Sequence, residues 1–209
     1  MSEIAFRWSG ILLILGAALL GIAIVIISLK PVVNQIFSPG VSLLLLLSSI
    51  LLLLSLPAMY ARQADAAGWL GLAGHALLQT GVLLLVVIAA TPILYPSFKT
   101  ASGENLVLFL LGIALTLGLL LTGIATIRAG IYPRGAGILL LVAMAGFVFT
   151  FFVAEFLPPL AGQLGSAFFG VLLAVSFAWI GAPSGLENWG RPSEAWFRPR
   201  KGGSGFPLG

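Results

Sequence analysis

Between Val41 and Tyr60 the chain reads VSLLLLLSSILLLLSLPAMY, twenty residues dominated by leucine and free of charge. A helix rises about 1.5 Å per residue, so a run of this length matches the roughly 30 Å hydrocarbon core of a bilayer. An uninterrupted apolar run of this kind favours a membrane helix over a barrel strand, whose apolar residues alternate with polar ones.

Five further stretches meet the same requirement. One precedes it, at about 10–29, and four follow, at about 69–91, 105–127, 135–157 and 161–180. Ser38-Pro39-Gly40 separates the first two, Pro92 and Pro96 are expected to break the third, and Gly181 and Pro183 to close the sixth. The first stretch exceeds the usual apolar length of a signal peptide and is expected to be a true span. The predicted fold is all-α: a six-span transmembrane bundle over residues 1–181, followed by a tail at 182–209.

Composition agrees with that reading. Of the 209 residues, 60% are hydrophobic and 8% charged; soluble domains usually carry about a quarter charged residues. A bilayer accepts an apolar exterior, provided that backbone polar groups are paired internally. Cysteine is absent, which excludes disulfides, thiolate metal sites and cysteine nucleophiles. The net charge of +4 reflects a scarcity of acids, and no nucleic-acid partner is expected.

The ten basic residues sort unevenly between the two sides. Arg7, Arg62, Arg128, Arg134, Arg191, Arg198, Arg200 and Lys201 share one side, while Lys30 and Lys99 fall on the other with Glu104 and Glu155. Basic residues accumulate in short cytoplasmic segments, so both termini are expected in the cytoplasm, across a bacterial inner membrane. Similar segments open the first, third and fifth spans, around Trp8-Ser9-Gly10, Gly68-Trp69-Leu70-Gly71 and Pro133-Arg134-Gly135. A repeat of that kind would make the bundle three helical hairpins.

Few residues suggest chemistry. Gly162, Ser166, Gly170, Ala174 and Ala178 recur every fourth position of the sixth span and form a groove of small side chains on one helix face. Such a seam serves a contact inside the bundle or with another subunit. Shorter examples are Ala17 with Gly21 and Gly112 with Thr116. His75, the only histidine, lies inside the third span with Gly71 and Gln79 one turn away on its own face. An intramembrane histidine is a functional candidate. It can serve as an axial ligand to a tetrapyrrole, with Met59 the nearby sulfur candidate for a second ligand, or lie on a substrate or proton path. The structural alternative is a neutral imidazole bonded to Gln79, a serine or a carbonyl across a helix interface.

Glu155 is expected at the membrane interface. Ser48, Ser49 and Ser55 have no base nearby in sequence, and hydroxyls in such helices bond back to their own backbone. In the tail, Trp189, Trp196 and Phe197 lie among Arg198, Arg200 and Lys201, a combination suited to the lipid interface or to a neighbouring subunit. No enzymatic constellation appears. The expected function is that of a non-catalytic accessory or structural subunit, with membrane lipids and other integral-membrane subunits as partners. A small transporter or channel for a hydrophobic or small substrate, and a pigment- or haem-binding subunit using His75, stand as alternatives.

Overall fold

The computed structural model describes residues 3–29, 38–95, 103–152 and 158–185. Every element among them is helical: α1 Glu3–Leu29, α2 Pro39–Leu94, α3 Gly103–Ala129, α4 Arg134–Phe152 and α5 Pro159–Gly185. Four of these, α1, α2, α3 and α5, are long and apolar enough to cross a membrane. The apolar stretch of α4, Arg134–Phe149, is shorter, and residues 153–157 of the expected fifth span lie outside the described residues. The fold is that of an all-helical membrane protein.

The 56 residues of α2 would measure about 84 Å as a straight helix, far more than a bilayer is thick. They do not run straight. Gly68 has φ 58° and ψ −152°, a backbone region essentially confined to glycine. Beyond it the chain doubles back. Gln79 reaches the Leu53 carbonyl over 3.2 Å, although 26 residues of continuous helix would separate them by about 39 Å. Tyr60 and His75 stack with ring centroids 4.9 Å apart. α2 is therefore a hairpin of two limbs, 39–67 and 69–94, reversing at one residue.

The sequence places a turn here but expects the apolar helix to stop near Tyr60. Helical geometry instead continues through Arg62 and Gln63 to Ala67. Two other expected stops differ in the same sense. α2 runs past Pro92 to Leu94, and α5 past Gly181 and Pro183 to Gly185. Proline's fixed φ is itself helical, so the backbone keeps its helical course for two residues beyond each proline before it ends.

Consecutive helices pack on one another, and α5 returns to pack against α1. Small residues set these contacts. A Cβ added to Gly74 would lie 2.7 Å from the Thr122 amide nitrogen, and one on Gly118 2.6 Å from that of Leu78, so backbone meets backbone between the second limb of α2 and α3. A Cβ on Gly21 would lie 2.9 Å from Ala174 Cβ, and one on Gly170 would strike Ile24. Gly170 and Ala174 of the sixth-span seam thus face α1, inside the bundle.

The interior is filled by Leu52, Leu56, Leu78, Leu119, Leu140 and Ile180, all fully buried. The outward faces carry equally large apolar groups, among them Leu54, Phe109 and Phe168. An exterior as apolar as the interior suits a helix bundle in lipid, where association rests on close packing and internal hydrogen bonds.

Candidate functional site

The polar groups of the bundle gather where the hairpin of α2 meets the C-terminal half of α3. Pro57 begins the arrangement. A proline gives no N–H to the carbonyl four residues earlier, here that of Leu53. Gln79 Nε2 donates to that carbonyl from the opposite limb, at 3.2 Å. Bare carbonyls in hydrocarbon are costly, so the glutamine repairs on one limb the defect that proline makes on the other.

Towards the Gly68 reversal, Tyr60 stacks on His75 with an interplanar angle of 16°, covering one face of the imidazole. Next to His75 in sequence, Gly74 admits the backbone of α3 at Leu121 and Thr122. His75 Nδ1 and Thr122 Oγ1 are both buried and lack a hydrogen-bond partner. Thr122 is 1% exposed. Gln79 bonds to the Leu53 carbonyl, so it does not supply the partner expected for His75 Nδ1. Met59 is buried, and its carbonyl is engaged from elsewhere.

That engagement comes from the α3–α4 turn, residues 130–133. Tyr132 points inward, is 4% exposed and donates its hydroxyl to the Met59 carbonyl at 3.3 Å. Arg62 also hydrogen-bonds the phenol. Burial pushes the phenol above its ordinary value of 10.0, and the nearby guanidinium opposes part of that rise. Six residues back, in the last turn of α3, Thr126 Oγ1 donates to Gln63 Oε1 over 3.4 Å, both side chains being buried. The two bonds pin the end of the first α2 limb to the end of α3.

Five serine hydroxyls close on their own helices. Ser49 bonds to the Leu45 carbonyl at 2.6 Å, Ser55 to that of Leu52 at 2.9 Å, and Ser48 to that of Leu45 at 2.9 Å. Ser166 and Ser176 do the same in α5, at 2.8 and 2.7 Å. Ser42, also buried, has a hydroxyl without a partner.

Of the residues singled out in the sequence, the structure places His75 in this junction and Gly170 and Ala174 against α1. Gly162, Ser166 and Ala178 continue the α5 row. Trp189, Trp196, Phe197, Arg198, Arg200 and Lys201 lie outside the described residues, as does Glu155. Sequence reasoning missed Gln63, Thr126, Tyr132 and the role of Gln79. The available signal was Pro57, which demands a donor from a facing helix, and Gln79 is the only glutamine or asparagine within the expected third span. Compared with family models, curated proteins and solved structures, the chain matches none.

Proposed function

We propose that the chain is a six-span, non-catalytic accessory or structural subunit of a bacterial inner-membrane complex, packing against other integral-membrane proteins, with both termini in the cytoplasm. The two limbs of α2, each about 40 Å long, supply the second and third spans, and residues 135–157 the fifth. The direction of insertion is supported by charge. Arg7, Arg62, Arg128 and Arg134 lie at the end of the bundle where the start of α1, the Gly68 reversal and the α3–α4 turn come together.

One observation carries the functional reading: apart from His75 Nδ1, Thr122 Oγ1 and Ser42 Oγ, the buried polar side-chain atoms of the described spans are bonded within the fold. Ser49 and Ser55 donate back to the Leu45 and Leu52 carbonyls, Gln79 repairs the break at Pro57, and Thr126 with Gln63 ties helix ends together. Gly74, Gly118 and Gly170 are committed to close helix contacts. The outward apolar faces are what the fold offers to partners. Solubilised in mild detergent, the tagged chain is expected to elute with other membrane proteins, well above the size of one 21.8 kDa chain in its micelle. A homogeneous, stable monomer would overturn the proposal.

A transporter or channel for a small substrate is the second reading, favoured by the unpartnered His75 Nδ1 and Thr122 Oγ1 at a helix interface. Its test is flux in reconstituted vesicles. Transport that disappears in both His75→Ala and Thr122→Val, with the fold retained, would put this reading first.

A further inference from the structure

We propose that the α3–α4 turn binds the headgroup of an anionic glycerophospholipid between Arg128 and Arg134. Arg128 lies in the last turn of α3 and Arg134 opens α4, and both side chains are exposed. Neither has an ion-pair partner among the described residues. Two cations on the flanks of a short turn repel each other. Arg134 also sits at a helix N-terminus, where the backbone dipole is already positive and disfavours a cation. An anion between the two guanidinium groups relieves both penalties, and guanidinium forks match phosphate oxygens.

The turn is held in shape to present them. Gly130 adopts φ 65°, Ala136 N donates to the Pro133 carbonyl at 2.9 Å, and the inward Tyr132 is bonded to the Met59 carbonyl. With Tyr132 inside, its neighbour Ile131 faces outward and is 49% exposed. Trp179 of α5 is also exposed, and its ring lies against Gly135. Cations beside an exposed indole and an aliphatic side chain form the composition of a membrane–water interface, with the ring at headgroup level and apolar surface for the first acyl carbons. This apolar flank is the reason to assign the site to a lipid over free phosphate. The proposal requires only that a turn between two apolar helices lies at the membrane surface; it is independent of the accessory role and of the direction of insertion.

The test uses the full chain in a neutral detergent, exchanged against mixed micelles containing phosphatidylglycerol or phosphatidylcholine, with retained lipid counted by native mass spectrometry. Phosphatidylglycerol should be retained in preference. A basic residue near an anionic lipid surface is worth about a fivefold change in affinity, so Arg128→Gln and Arg134→Gln should each weaken retention about fivefold and the pair about twenty-fivefold. The Arg128→Lys/Arg134→Lys pair, which keeps the charges and loses the forks, should fall between wild type and the glutamine pair, and excess inorganic phosphate should not displace the lipid. Helical circular dichroism verifies that each variant is folded, and the single variants serve if the double one is not. Equal retention of the two lipids, unchanged retention in folded glutamine variants, or displacement by inorganic phosphate would each overturn the proposal.

Discussion

Gln79 and Leu53 occupy opposite limbs of α2, and the side-chain amide of one donates to the main-chain carbonyl of the other over 3.2 Å. That carbonyl is the one left bare by Pro57, four residues further along its own limb. Gln79→Leu should therefore destabilise the bundle by about 1–2 kcal/mol. Replacing the proline restores the helical donor, so the cost of Gln79→Leu should shrink markedly in a Pro57→Ala background. Unfolding in mixed micelles, run as a double-mutant cycle, measures this coupling, and additive losses would show that the two positions are independent.

Gly68 carries the reversal with φ 58° and ψ −152°. Gly68→Ala places a Cβ on a backbone that only glycine adopts readily, at a cost of about 1–3 kcal/mol. The added methyl meets no atom within 4 Å, so the loss should come from backbone strain alone. Gly40 has equal space around it and no positive φ, and Gly40→Ala should leave stability unchanged or slightly raised. Thermal unfolding of the two variants side by side separates strain from crowding.

Gly74 and Gly118 let α2 and α3 approach at backbone distance. Gly74→Leu or Gly118→Leu should force these helices apart and destabilise by about 1–3 kcal/mol or more. The effect should exceed that of a leucine at exposed position Ala76. Intramolecular crosslinking between cysteines placed on the two helices reports the separation directly.

Tyr132 joins the α3–α4 turn to the first limb of α2 through the Met59 carbonyl and Arg62. Tyr132→Phe should cost about 1 kcal/mol. Because burial raises the phenol above 10.0, against a partial opposing pull from Arg62, the folded state holds this proton more tightly than the unfolded one. The stabilisation is complete below the ordinary value and lost as pH climbs through the raised one. The ultraviolet tyrosinate difference between wild type and Tyr132→Phe should appear only above pH 10.0. A band from this residue at lower pH would contradict the burial argument.

The helices were legible because each is written locally, as a run of about twenty apolar residues, and the reversal between Tyr60 and Trp69 was marked by Arg62 and Gly68. The small-residue row of α5 was legible for the same reason, being periodic along one helix. That Gly170 meets Ile24 of α1 was not, because a row of small side chains states only that something approaches closely. The junction around Gln79, Thr126 and Tyr132 was hidden because its bonds join residues 26, 63 and 73 positions apart. Helix ends at Leu94 and Gly185 lie beyond the expected ones because a proline, whose fixed φ is helical, does not by itself end a helix.

A chain without cysteine permits a direct test of the central claim, six spans with both ends in the cytoplasm. Single cysteines at Asp65, Ile131 and Phe206 should react with a membrane-impermeant maleimide only after the membrane is opened. Cysteines at Asn34 and Ser102 should react in intact cells. Labelling of Asp65 and Ile131 from opposite sides of the membrane would contradict the account.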